Sequence, residues 1–177
     1  MIDLKNFDIH SSMIMEGGSL YSNIFKFDKN LFNQWCIDNF EYYGEVHTFE
    51  EAEPSEIQFS NFQKLGYQHL NSACHYSANA ISLLDSNYKS ITGFIITQLS
   101  PSPLITHSFN FFDNQIIDFS RYLLNDSFTS RDKDGLPHKY FGIELPIKFL
   151  KKYEDEILDK TMNPLLYEFC RECNLFW

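Results

Sequence analysis

Two spacings of hydrophobic residues alternate along this chain, and each change of spacing predicts a new element. A spacing of three to four residues predicts a helix over Asp28–Phe40, with its first residue as the N-cap and Gly44 as its end. The same spacing predicts a helix over residues 71–84, for which either Asn71 or Ser72 is a suitable N-cap.

Apolar and β-branched runs between turn residues predict strands instead. These runs are Ile24–Phe27, Ile91–Gln98, Ile105–Phe112, Gln115–Ser120 and Tyr140–Glu144. The pair Asp113-Asn114 between two of them tolerates the dihedral angles of a two-residue hairpin turn. Pro146 then opens a helix through Ile157, and an apolar pattern predicts a last helix over residues 165–173. A helix, an antiparallel meander and further helices predict an α+β fold.

Composition and charge narrow the class of protein. The 177 residues are 17% aromatic and carry a formal net charge of −10, so we expect one folded domain that needs no cofactor. An acidic chain disfavours nucleic acid and anionic membranes as partners. No apolar run approaches the ~20 residues of a membrane-spanning helix, and the first residues lack a signal pattern, so we expect a cytoplasmic protein. The acidic stretch Glu45–Glu56 is predicted to be a solvated loop, or alternatively a docking surface for basic partners.

The four cysteines are expected to be reduced thiols in that compartment. Cys170 and Cys173 have the spacing of half a zinc site, but no second pair completes it. Both also fit the apolar face of the last predicted helix. We therefore expect buried structural thiols and no metal, with a zinc site as the weaker alternative.

Cys74 is the cysteine placed best for chemistry. In the first turn of the helix over residues 71–84, unpaired N–H groups and the positive end of the helix dipole favour its nucleophilic thiolate. Cys74 also shares one helical face with Ala78 and Ile81, so a core thiol is the alternative.

His107 and Asp118 are predicted to be its partners. If Asp113-Asn114 is a two-residue turn, Phe112 pairs with Gln115, and His107 and Asp118 become diagonal neighbours on one sheet face. An imidazole–carboxylate hydrogen bond there would stabilise an imidazolium beside a thiolate. A three-residue loop would reverse this parity.

Gln68, just upstream of Cys74, is the predicted side-chain donor for an oxyanion, together with the Cys74 N–H group; Asn71 is a rival. His75 lies about 100° around the helix from Cys74, which disfavours it as the base, so a rim or core position is expected. His69 is a minor alternative to His107.

The remaining histidines and acids are given no chemical role. Asp85 is expected to end a helix and Asp113 to form the turn. His10, His47 and His138 have no partner that the sequence identifies.

Gln-x5-Cys at a helix start, followed by His and then an acid on successive strands, resembles the papain-like and transglutaminase-like cysteine enzymes. The short spacing of Cys74, His107 and Asp118 is more similar to the transglutaminase and arylamine N-acetyltransferase branch. The segment also resembles small uncharacterised bacterial and phage proteins of this type. His75 stands where papain-like peptidases usually have Trp, and no Gly-Cys-Gly or Arg-Gly-Gly-x-Cys signature is present.

The resemblance covers roughly residues 66–120 and implies a nucleophile-bearing helix packed on an antiparallel sheet. Residues 1–60 would be an N-terminal elaboration, and residues 121–177 a loop with C-terminal helices, within one domain. It implies a thiol-dependent acyl-transfer enzyme (a peptidase, an amidase or deamidase, or a transglutaminase-like enzyme) acting on an amide or thioester of a protein or small molecule. The alternative is a non-catalytic effector module that blocks a protein partner, which would place it in a host cytoplasm.

Overall fold

The computed structural model describes residues 29–70, 73–96, 104–120, 138–159 and 165–173. They form an antiparallel sheet with helices packed against it, so the predicted α+β class is confirmed. The elements are α1 (Lys29–Asn39), β1 (Glu41–Val46), a 3-10 turn (Phe49–Glu51), α2 (Glu56–Lys64), α3 (Cys74–Leu84), β2 (Lys89–Ile96), β3 (Leu104–Phe112), β4 (Gln115–Ile117), β5 (His138–Leu145), α4 (Ile147–Leu150), a second 3-10 turn (Lys151–Tyr153), α5 (Glu154–Leu158) and α6 (Leu166–Glu172).

The strands follow the order β1-β5-β2-β3-β4, and every neighbouring pair is antiparallel. The run β2-β3-β4 is the meander that the sequence predicts, whereas β5 pairs with the other side of β2 and carries β1 beyond it. This makes β2 the central strand, and all its residues after Lys89 are buried. Its β-branched and aromatic composition suits a strand that is covered on both faces.

The hairpin between β3 and β4 has the predicted register. Phe112 pairs with Gln115, and the turn residues Asp113 and Asn114 have φ angles of 49° and 59°. Positive φ at both central positions defines a turn whose twist matches that of the strands, and Asp and Asn tolerate this conformation. The ladder ends at Ile117, three residues earlier than the predicted strand end at Ser120.

Helix α3 packs on one face of β2 and β3, and its contact with the sheet is unusually polar. The buried Asn110 amide donates to the Ala78 carbonyl at 2.9 Å and to the Ser82 hydroxyl at 3.1 Å. In the same interface, the Ser90 hydroxyl donates to the Asn79 side-chain oxygen at 2.7 Å. Such bonds fix the position of the helix along the strands more tightly than apolar packing would, because each buried polar group needs its partner.

Two predictions for the N-terminal half are wrong, and a third is not tested. Gly44 does not close a helix: α1 ends at Asn39, and Gly44 lies in β1 with φ +143° at a bulge after Tyr42. The Glu45–Glu56 stretch is not a simple loop, because it includes the end of β1, a 3-10 turn and the buried Ala52. The predicted Ile24–Phe27 strand lies outside the described residues.

Two further differences concern helices. Helix α2 was not predicted, although Ser55 and Gln58 form a capping box whose Ser-x-x-Gln signature is visible in the sequence. The helix predicted from Pro146 is instead α4, a 3-10 turn and α5 in succession, with Pro146 as the N-cap of α4.

Candidate active site

Cys74 is the first residue of α3, one or two residues closer to the helix start than the predicted caps imply. The N-cap is Ala73, whose side chain makes no capping bond, so the expected cap by Asn71 or Ser72 is wrong; those two residues lie outside the described part of the chain. Since the first N–H groups of a helix have no intrahelical acceptor, the Cys74 N–H group lies in the part of the helix that favours negative charge.

The half-buried Cys74 thiol lies beside two imidazoles, those of His75 and His107. Burial by itself would raise the pKa of this thiol, since it disfavours the thiolate. The charges and hydrogen bonds of the two histidines outweigh that effect, so the pKa of Cys74 is well below its ordinary value. The site therefore favours the thiolate more strongly than the surroundings of an ordinary cysteine do.

His107 links the thiol to a buried carboxylate. Its Nε2 atom lies 2.5 Å from Oδ2 of Asp118, which leaves Nδ1 for the hydrogen bond with Cys74. Burial opposes protonation of His107, but the charges of Asp118 and the Cys74 thiolate, with their hydrogen bonds, raise its pKa to about 9. An imidazolium is thus stabilised between two anionic groups.

Hydrogen bonds to both the side chain and the main chain fix the position of Asp118. It is 1% exposed, and its Oδ1 atom accepts bonds from the Ser120 hydroxyl at 2.6 Å and from the Ser120 N–H group at 3.2 Å. Its own N–H group donates to the Ala52 carbonyl at 2.6 Å. The Glu45–Glu56 stretch therefore fixes the main chain of Asp118 through the Ala52 carbonyl, a contact that no side-chain pattern in the sequence indicates.

The cysteine and the histidine approach each other around a strand edge. By strand parity, His107 and Phe109 project to one face of β3, whereas Ser108 and Asn110 project to the face that carries α3. β4 pairs with β3 only from Asn110 onward, so the ladder has already ended where His107 lies. Among the described residues, no strand pairs with β3 on this side of His107, and the start of α3 meets the imidazole here.

His75 is half-buried, as expected of a rim position, and it also contacts the thiol. Its Nδ1 atom lies 2.7 Å from the Ser108 hydroxyl while the ring hydrogen-bonds to Cys74. The 100° rotation between neighbouring helical residues is a poor guide here, because an imidazole at the open helix start is long enough to lie alongside the preceding side chain.

Gln68 lies next to the first turn of α3. Its side chain is exposed, and its backbone hydrogen-bonds to the Tyr76 hydroxyl. Its predicted role as an oxyanion donor stays a prediction. His69, the minor alternative base, packs edge-on against Phe59, with 5.8 Å between the two ring centroids.

The other cysteines are remote from this chemistry. Cys36 and Cys170 are buried in one apolar cluster, but Cys173 is exposed, so its predicted burial is wrong. Helix α6 ends at Glu172, and a residue beyond a helix end need not follow the apolar face. Among the described residues, no three His, Cys, Asp or Glu side chains are arranged to hold a metal ion.

The groups without a predicted role are placed as follows. Asp85 is the C-cap of α3 and Asp113 is a turn residue, as predicted. His47 is exposed near Glu45, His138 is buried in β5, and His10 is outside the described residues.

No family model, curated protein or solved structure matches this chain. Within the described residues, no helix is both long and apolar enough to cross a membrane.

Proposed function

We propose that this protein is a thiol-dependent acyl-transfer enzyme that works through an acyl-enzyme at Cys74. The observation that carries the proposal is the continuous line of contacts from Cys74 through His107 to the buried Asp118. A nucleophile, a base and a group that orients the base are the three parts of a covalent acyl-transfer site.

In the first half of the reaction, the Cys74 thiolate attacks the carbonyl carbon of an amide, isopeptide or thioester. The carbonyl π electrons move to oxygen and form a tetrahedral oxyanion. When that intermediate collapses, the bond to the leaving group breaks, and the His107 imidazolium gives its Nδ1 proton to the departing amine or thiol. The products of this half are a thioester at Cys74 and a neutral His107.

In the second half, water or an amine attacks the thioester and gives one proton to His107. The thiolate leaves, which restores the resting ion pair. Throughout both halves, Asp118 holds His107 in one orientation and stabilises its charge. The Cys74 N–H group at the start of α3 is suited to stabilise the oxyanion, and Gln68 is the proposed second donor.

The fold supports the same proposal. A helix that begins with the nucleophile, packed on an antiparallel sheet whose hairpin bears the histidine and the acid, is the arrangement implied by a papain-like or transglutaminase-like enzyme. We therefore assign the chain to that architecture as part of the proposal. The substrate would be a protein or small molecule with an amide or thioester group.

The first test is alkylation by a low dose of iodoacetamide at pH 6 and pH 8, followed by intact mass. Cys173 is an internal control, because reagent can reach its exposed side chain. Partial burial of its thiol and the charge of Glu172 raise the pKa of this thiol. We expect one fast label at pH 6, lost in Cys74→Ala and retained in Cys173→Ala. If Cys74 reacts no faster than Cys173, the thiolate and the proposed enzyme are both refuted.

A fast-reacting Cys74 would justify a substrate screen with three readouts: ammonia release, peptide cleavage and amine incorporation. These separate deamidase, peptidase and transferase activities. The non-catalytic effector makes the opposite prediction, namely that Cys74→Ala leaves partner binding and biological effect intact.

A further inference from the structure

We propose that His75 is a second proton-accepting imidazole at Cys74, held in place by hydrogen bonds through Ser108 to Thr92. This inference rests on the proposed function. It concerns which groups serve the thiol, since the line from Cys74 to Asp118 does not use His75.

The hydrogen bonds fix which nitrogen of His75 carries a proton. The Ser108 hydroxyl donates its only hydrogen to the Thr92 hydroxyl at 3.0 Å. Its oxygen can then only accept, so the 2.7 Å contact with Nδ1 of His75 requires an N–H group on that nitrogen. Nε2 is therefore the nitrogen of His75 that is left to take up a proton.

The two residues that support His75 are buried. Ser108 is 2% exposed and Thr92 is 1% exposed, and they lie opposite each other on paired strands under the start of α3. A buried hydroxyl pair on the paired strands β2 and β3 has little freedom to reorient. His75 is thus held by the sheet, while its other edge remains half-exposed beside the thiol.

Two imidazole nitrogens can then accept the proton of the Cys74 thiol. When the S–H bond of Cys74 breaks, the proton forms an N–H bond either at Nδ1 of His107 or at Nε2 of His75. The second imidazole gives the site a proton acceptor even while His107 is already charged. Within the described part of the chain, the other titratable groups near the pair are Asp118, which bonds to His107, Tyr67, which interacts with that carboxylate, and Tyr140, whose ring centroid lies 6.0 Å from that of His107.

The test is the pH dependence of Cys74 alkylation between pH 5 and pH 9. The variants are His75→Gln, His107→Gln, the double variant, Ser108→Ala and Ser108→Thr. Gln at position 75 keeps a group that bonds to Ser108 but cannot accept a proton in this range. Because alkylation follows the thiolate fraction, each unit of rise in the thiol pKa slows the reaction at pH 6 about tenfold.

We expect His75→Gln to slow alkylation at pH 6 about tenfold or more and to shift its pH profile upward. His107→Gln should keep a residual rate above that of Cys173, and the double variant should lose it. Ser108→Ala should move the profile in the same direction, and Ser108→Thr, which retains a hydroxyl, should restore it. A purely structural role for His75 would lower thermal stability without moving the pH profile.

The inference is overturned if His75→Gln has the wild-type profile, or if His107→Gln already reacts as slowly as the double variant. With either result, the proposed function is retained with His107 as the base. Slow alkylation of Cys74 in the wild type would refute both the role of His75 and the proposed function. Nitrogen NMR of the wild-type histidines is independent of any variant's folding. It must show Nδ1–H on neutral His75, and the opposite tautomer also overturns the inference.

Discussion

Replacing Asp118 with Asn tests the electrostatic core of the site with almost no change of shape. The Asn oxygen can still accept the two hydrogen bonds from Ser120, so the turn after β4 should persist. What the variant removes is the negative charge 2.5 Å from Nε2 of His107. His107 stays buried in the variant, and burial disfavours its imidazolium. Only the Cys74 thiolate would then stabilise that charge.

The structure gives the size of the effect. A His107 pKa of about 9, against an ordinary value of 6.5, is a net stabilisation of the imidazolium by about 3 kcal/mol. Asp118 is the largest favourable cause, so Asp118→Asn should return this pKa to its ordinary value or below. The resting ion pair would then be poorly populated at pH 6. We expect Cys74 alkylation at that pH to slow at least tenfold.

The assay is the alkylation rate from pH 5 to pH 9 by intact mass, together with an NMR titration of His107. Asp113→Asn is the matched control, because it makes the same substitution at an exposed turn position of the same hairpin. Circular dichroism would show that both variants fold. A folded Asp118→Asn protein that is alkylated at pH 6 as fast as the wild type would refute the electrostatic argument.

Three further outcomes are expected. In Cys74→Ala, the raised pKa of His107 adds stability below pH 6.5 that is lost as the pH rises. In the wild type, the lowered pKa of Cys74 adds stability as the pH rises toward the ordinary thiol pKa, which offsets this loss; urea unfolding at several pH values distinguishes the two proteins. Gly93→Ala should cost about 3 kcal/mol or more in thermal unfolding, because its Cβ would lie 2.2 Å from the Phe141 carbonyl oxygen; an unchanged Tm would contradict this. Ser55→Ala should cost about 1 kcal/mol in the same measurement, and no loss would mean that its capping box contributes nothing.

The sequence predicted the parts of the site that depend on local geometry. A two-residue turn at Asp113-Asn114 sets strand parity, and parity places His107 and Asp118 on one side of the hairpin. Position within a helix is equally local, so Cys74 was predicted in the first turn of α3. The predicted cap was wrong, since the N-cap is Ala73, whose side chain makes no capping bond and therefore gives no signal in the sequence.

Only the tertiary structure determined what surrounds those residues. The contact between Cys74 and His107 joins a helix on one sheet face to a side chain on the other, around a strand edge that exists because β4 is short. Ala52 and Asp118 are more than sixty residues apart in the sequence. The bond between them uses the main-chain carbonyl of Ala52, and every residue type has such a carbonyl, so the sequence does not indicate this contact.

The same holds for the second imidazole. Helical periodicity describes directions around an axis, and by that rule His75 points away from Cys74. The rule omits the reach of a side chain at an open helix end and the hydroxyls of the strands below it. The local pattern therefore determined which residues lie in each element. Long-range packing decided their contacts, because partners distant in sequence leave no periodic signal.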